Sequence, residues 1–294
     1  AEMQTASEHE QMYYQLLRIK AADKAYIDHT SDKEIQKLLD YYESAGSDKS
    51  LLAEAYYYAG SVYRDLNDAP QALEYFQKAL DALPTDGNIT LKSNIYNQSA
   101  HLFLHQTLFS EALKMFKQSY LCDSIINDTS AMVYSLKDIA YTYDKLRKPD
   151  SAFIYYNIAY EYAVQKNEVE AIGDVTGQMA DYYINRKDYV KARQYIKPLL
   201  IRNDSISNNA WYTMAVIINM RTEEHDSALY YCNKLLEIGN AATKQMATYN
   251  LIKIYSQRKD YENIQKMLKL YTLYTDSVNK ITAIESMARM NSMY

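Results

Sequence analysis

Small residues return along the chain at a nearly constant interval. Ala72, Ala112, Ala152 and Ala192 are spaced by 40 residues, and Ala228 and Ile264 follow at a spacing of 36. After each marker an aromatic or apolar residue stands four later and, in most copies, a small or apolar residue seven later, as in Ala72, Phe76 and Ala79. Apolar positions at i, i+4 and i+7 share one face of an α-helix. Twelve residues before the first four markers stands another small residue, with an aromatic three further on: Gly60 and Tyr63, Ala100 and Phe103, Ala140 and Tyr143, Ala180 and Tyr183. The pattern predicts two helices per unit, close together where side chains are small and held apart where aromatics fill the gap. An interval of this size marks a repeat array in which each unit packs only on its neighbours.

The joint between the two helices has its own signature. It reads TLFSEA at residues 107–112, RKPDSA at 147–152, RKDYVKA at 186–192 and RKDYENI at 258–264. Before the first full unit, residues 4–26 and 31–44 each read as a helix, the second opened by the capping box Ser31-Asp32-Lys33-Glu34. From residue 275 a separate helical pattern begins. It spaces Ile281, Ile284, Met287 and Met290 by three, and Ala283, Met287, Met290 and Tyr294 approximate a heptad seam.

Residues 53–84, AEAYYYAGSVYRDLNDAPQALEYFQKALDALP, resemble the tetratricopeptide repeat (TPR) at nearly every signature place. Tyr56 stands at the family's first aromatic, Ala59 and Gly60 at its Leu-Gly pair and Tyr63 at its tyrosine. Ala72, Phe76 and Ala79 form its second-helix set, and Pro84 is its terminal proline. Forty-residue units also suit HEAT and armadillo arrays, but this set favours TPR. The resemblance implies an all-α fold, a right-handed α-α superhelix of about seven helix pairs plus a C-terminal helix. The array is expected over residues 1–274, with 1–50 as an N-terminal capping pair and 275–294 as a C-terminal helix linking to a further segment.

Composition agrees with helices: six glycines and four prolines are too few to punctuate a sandwich or barrel. A net charge of −5 argues against nucleic acid and acidic membrane surfaces as direct partners. Cys122 and Cys232 sit in helical patterns 110 residues apart and read as packed thiols rather than a disulfide or a metal knuckle. Among the longest apolar runs is WYTMAVIINM, residues 211–220, short of a membrane span. The chain opens at Ala1 without a leader, as a chain from which a signal or anchor segment has been removed would.

Little in the sequence suggests catalysis. His101 and His105 share a helix face at i and i+4, a spacing metals use, but HLFLH lacks the glutamate of a zincin motif and no third ligand is evident. Neither a phosphate loop nor a GxSxG elbow occurs. No enzyme activity, cofactor or metal is expected. The 32 tyrosines, often doubled as in Tyr155-Tyr156, Tyr182-Tyr183 and Tyr230-Tyr231, read as one ring in the core and one at its boundary.

Residues 24–80 also resemble the sensor portion of bacterial membrane-anchored TPR regulators, in which an exported array precedes a membrane helix, a coiled coil and a cytoplasmic effector. In TPR arrays the first helix of each pair lines the concave face. The family's groove positions then fall on Tyr57, Ser61 and Arg64; on Asn97, His101 and His105; on Tyr134, Lys137, Tyr141 and Lys145; and on Asp181 and Asn185. Chaperone-binding TPRs hold a lysine and an asparagine where Tyr57 and Ser61 stand here, so that recognition is not expected. The resemblance implies a protein- or peptide-binding scaffold, the periplasmic or outward-facing sensor of a signalling protein, with membrane attachment only through segments outside this chain. The alternatives are a structural adaptor without signalling, a cytoplasmic location and, remotely, a metal-dependent enzyme.

Overall fold

The structure, a computed structural model, describes residues 7–44, 48–85, 87–202 and 208–291. All regular structure among them is helical, as expected: fourteen helices in seven successive pairs, which fall into two units, Ala1–Tyr162 and Ala163–Tyr294. The first unit holds α1 (Glu8–Lys24), α2 (Lys33–Ser44), α3 (Lys49–Asp65), α4 (Ala69–Ala82), α5 (Ile89–His105), α6 (Phe109–Ile125), α7 (Thr129–Lys145) and most of α8 (Pro149–Gln165). The second holds α9 (Val169–Asn185), α10 (Tyr189–Arg202), α11 (Asn208–Arg221), α12 (His225–Ile238), α13 (Ala241–Gln257) and α14 (Tyr261–Asn291).

The recurring small residues are where the helices meet. Ala72, Ala112, Ala152, Ala192 and Ala228 are all 0 % exposed, as are Ala100, Ala140 and Ala180 on the opposing helices. At Gly60 an added Cβ would lie 2.4 Å from the Phe76 ring, so α3 approaches α4 more closely than any side chain at that position allows. Beside this contact the larger rings stack: Tyr63 on Tyr75 at 5.3 Å, Tyr143 on Tyr155 at 5.3 Å, and, in the second unit, Tyr183 on Tyr195 at 5.4 Å. In the first stack Gln36 of α2 donates to both phenol oxygens, at 2.8 and 3.2 Å. Many tyrosines are therefore interhelical fillers whose hydroxyls find polar partners at the edge of the core. The doublets follow the expected division only in part. Tyr156 is buried while Tyr155 is half-buried, and Tyr231 is half-buried while Tyr230 is exposed, but Tyr182 and Tyr183 are both buried.

The joint signature also has a physical basis. Asn67, Thr107, Arg147, Lys187, Glu223 and Lys259 end the first helix of each pair from α3/α4 onward in the left-handed region, with φ between 57° and 61°. Such a conformation disfavours side chains, but here it closes two backbone bonds. Asp68 N–H donates to the Tyr63 carbonyl at 2.9 Å and Asn67 N–H to that of Arg64 at 3.0 Å, the pattern of a Schellman turn. The next residue opens the second helix. Asp68, Asp188 and Asp260 each accept a backbone N–H there, from Gln71, Lys191 and Asn263 at 3.1 to 3.2 Å. Leu108 occupies the same place without a side-chain cap and is exposed. Leu108→Asp is expected to raise stability by about 1 kcal/mol, read as an increase in the denaturant midpoint.

The first unit also buries a polar cluster that the sequence pattern does not announce. Asp123 of α6 is 2 % exposed and accepts hydrogen bonds from Ser93 of α5 and from Ser135 of α7, the latter at 2.9 Å, while Ser119 bonds Ser93 at 2.9 Å. Burial pushes the Asp123 carboxyl above its ordinary range, against the pull of the serine hydroxyls. A carboxyl raised in the folded state contributes stability that is complete below its unfolded value, near 3.8, and is lost as pH rises through the folded value. Asp123→Asn removes that dependence. The stability of the variant relative to the parent is expected to fall as pH drops from 7 to 4, as thermal melts at both values would show.

Both ends differ from expectation. The start expected at residue 4 lies outside the described residues, and a reciprocal capping box forms at Ser7 and Glu10 of α1. The box expected at Ser31 does not form. Helix α2 begins at Lys33, Ser31 Oγ accepts only the Lys33 N–H at 3.3 Å, and the intervening Asp32 carboxylate receives the Tyr63 hydroxyl at 2.9 Å. At the other end no break occurs at residue 275, because α14 runs unbroken for 31 residues from the last turn. Thr275 receives a bond from Gln245 of α13 at 2.8 Å, and Ile281, Ile284 and Met287 beyond it are exposed. The seam positions at the Met290 side chain and Tyr294 lie outside the described residues.

Candidate functional site

In the first unit the first helices of successive pairs neighbour one another, α1 with α3 and α3 with α5. Polar side chains cross these contacts: Lys20 of α1 pairs with Glu54 of α3 at 2.6 Å, and Arg64 of α3 reaches Asp23 of α1 at 3.0 Å and Gln98 of α5 at 2.8 Å. Arg64 also holds Asp65, whose other oxygen takes the His29 ring at 2.7 Å. Helix α1 thus occupies the face of α3 on which the first groove positions were expected. Ser61 is 0 % exposed, Tyr57 is 6 % exposed, and the Arg64 guanidinium is engaged on three sides. Tyr57 and Tyr58 instead floor a cavity of about 280 Å³ ringed by Lys20, Asp23, Glu54 and Asn94. Burial pushes the Tyr57 phenol up to about 12, so it stays protonated at neutral pH.

The positions on α5 and α7 are open. Asn97 and His101 are half-buried and His105 is exposed. His101 packs edge-on against Phe116 at 5.0 Å, and its Nε2 lies 3.5 Å from the Asp138 carboxylate of α7. Burial holds the ring below its ordinary titration range, opposed by Asp138, so it is neutral at pH 7. On α7, Lys137 sits over the Tyr134 ring at 5.0 Å and Lys145 over Tyr141 at 4.7 Å. These two lysine-on-tyrosine pairs, about two turns apart, make a strip of rings and cations on an acidic protein, with Lys137 also 3.6 Å from the Asp138 carboxylate. Asp138 and Gln98, the residues that tie neighbouring first helices together, were missed in the sequence. The recurring offset of 34 residues in Lys20 to Glu54 and Arg64 to Gln98 is the signal that would have found Gln98. In the second unit, Asn185 donates to Asp181 at 3.0 Å, and both belong to α9.

Among the described residues no group of three or more His, Cys, Asp or Glu side chains is placed to hold a metal ion. Cys122 and Cys232 are free and buried, and burial pushes the Cys232 thiol up to about 12. None of the described helices is long and apolar enough to cross a membrane.

The turn, the Gly60 contact and the stacked tyrosines coincide with the segment that a family model matches, the tetratricopeptide repeat, over residues 53–86. Residues 53–86 are a tetratricopeptide repeat. No curated protein matches it significantly, but solved structures share its fold. The TPR-bearing signal-transduction ATPase with numerous domains from Pyrococcus horikoshii aligns with a TM-score of 0.76 at 16 % identity, over 95 % of this chain and 44 % of that one. The apo form of RapI aligns at 0.68 and 12 % identity, over 92 % and 99 % of the two chains. NprR in complex with its cognate peptide NprX aligns at 0.54 and 11 % identity, over 95 % and 83 %. The chain therefore shares the helical-repeat fold of these structures.

Proposed function

We propose that this protein binds an extended, acidic peptide or protein segment along α5 and α7 of its first unit. The observation that carries the reading is the pair of lysine-capped rings, Tyr134 with Lys137 and Tyr141 with Lys145. A cation held over a ring presents charge and a flat apolar surface together, which suits a carboxylate-bearing chain with intervening apolar side chains. His101 and His105 extend the strip onto α5, and Asn97 adds an amide. Peptide binding by NprR, a protein of the same fold, supports the assignment. In the second unit Asp181 and Asn185 form an acidic and amide patch that we assign to contacts with polar groups of a partner.

Fluorescence anisotropy with labelled acidic and basic heptapeptides tests the reading. The acidic series is expected to bind more tightly, with affinity falling as salt rises. Tyr141→Ala combined with Lys145→Gln should weaken it about tenfold or more. Equal binding of both series, or an unaffected double variant that remains helical, would exclude this face.

We further infer that the protein is the outward-facing sensor part of a bacterial signalling protein, as the resemblance of residues 24–80 implies, with residues 1–274 as the array and 275–294 as its link to an effector. The continuity of α14 supports such a link. A gene whose reading frame continues past Tyr294 into a membrane-crossing helix is the expected finding, and a frame that closes there would leave a binding scaffold without signalling.

A further inference from the structure

Beyond the terminal pair α1/α2, one helix pair breaks the aromatic rule. In the six pairs from α3/α4 onward, the residue four before the left-handed turn residue is Tyr63, Phe103, Tyr143, Tyr183 or Tyr255, but Asn219 in the pair α11/α12. Twelve residues on, its counterpart Tyr231 is retained, matching Tyr75, Tyr155 and Tyr195. In the first pair Tyr75 is covered on both sides, by Tyr63 stacked at 5.3 Å and Tyr56 tilted at 6.2 Å. Tyr231 keeps the tilted neighbour, Tyr212 at 5.6 Å, and meets Tyr230 edge-on at 5.1 Å, but no ring stacks on its face, and where the stacked ring belongs there is a cavity of about 310 Å³.

The lining of that cavity is specific. Ile196, Ala215 and Ile218 form an apolar floor and Tyr231 a wall. Asn219 is 6 % exposed and lines the space. Its amide puts hydrogen-bonding groups at the edge of a mostly apolar space, where an apolar residue would offer none. At the mouth Arg193 is paired with Glu224 and donates to Thr222 at 2.7 Å, while the exposed Lys197 has no ion-pair partner among the described residues.

We propose that this cavity in the second unit binds a planar aromatic ring carrying an anionic substituent. The ring takes the place of the missing tyrosine on Tyr231, its polar edge bonds the Asn219 amide, and its charge meets Lys197. A void left by a missing ring accepts a ring of the same size, as apolar cavities in other proteins accept benzene, and the amide adds orientation. The ring has two sources, a free aromatic acid or the side chain of an aromatic residue beside an acidic one in a peptide. The site is independent of the α5 and α7 face, since its residues lie on α10, α11 and α12.

The full chain is titrated by calorimetry with 4-hydroxybenzoate, with cyclohexanecarboxylate as the non-planar control, and with a short acidic peptide holding one tyrosine. At least one aromatic probe is expected to bind, about tenfold more tightly than the control. Binding of the free acid identifies a small-molecule pocket, and binding of the peptide alone identifies insertion of a partner's side chain. Asn219→Tyr should abolish binding and raise the melting temperature by restoring the stack. Tyr231→Leu, which keeps the floor and removes the flat wall, should also abolish it and serves if Asn219→Tyr does not fold. Failure of both aromatic probes to bind the parent, or undiminished binding by either folded variant, would overturn the proposal.

Discussion

Phe76→Ala is expected to lower the stability of the first unit by about 3–5 kcal/mol, the largest effect of any single substitution considered for this fold. The ring is 1 % exposed and sits against the bare backbone of Gly60, with Tyr57 beside it at 5.8 Å. Nothing nearby can collapse into the space without moving α3 or α4. The same contact makes a second, sharper expectation about Gly60. In the parent, Gly60→Ala places a Cβ 2.4 Å from the ring and should cost about 1–3 kcal/mol through overpacking. In the Phe76→Ala background the obstruction is gone, and the better helix propensity of alanine should make the same change favourable by up to about 1 kcal/mol. A double-mutant cycle in urea measures both values. If Gly60→Ala has the same sign in both backgrounds, the close approach does not set the energetics.

The second large effect is expected at Ala152→Leu, which should cost about 1–3 kcal/mol. Ala152 is 0 % exposed at the marker position of its pair, so three further heavy atoms have no room. Ile154, two residues on and exposed, is the control: Ile154→Ala should stay within about 0.5 kcal/mol of the parent. Thermal unfolding of the two variants side by side decides it. A leucine variant that melts with the parent would mean that the marker is not an interhelical contact.

Why the repeat was legible and much of the site was not follows from which residues are replaceable. A helix crossing admits only small side chains, and a left-handed turn followed by a cap favours a phrase such as RKD, so both leave marks that recur with the period. Ala72, Ala112 and Ala152 were readable for that reason, and so were the helices they belong to. A surface position carries no such constraint. Whether Ser61 or His101 faces solvent depends on the helix lying next to it, and the terminal helix α1 covers the first while nothing comparable covers His105. Asp123 with Ser93 and Ser135 was invisible because serine and aspartate ordinarily mark solvated faces, and only three-dimensional convergence turns them into a buried cluster. Asn219 went unnoticed in the sequence for a related reason: a single departure from the period acquires meaning only beside the neighbouring Tyr231 and the space they both line.

The unbroken α14 has a mechanical consequence. At about 1.5 Å per residue its 31 residues form a rod of roughly 45 Å, rooted at one end against α13. Lacking a joint at residue 275, the rod turns any small tilt of the final hairpin into a sweep at its far tip, in proportion to its length. A helix interrupted there would absorb the same tilt locally. A glycine pair introduced at Thr275 and Asp276 is the simplest way to cut the lever while leaving the array intact.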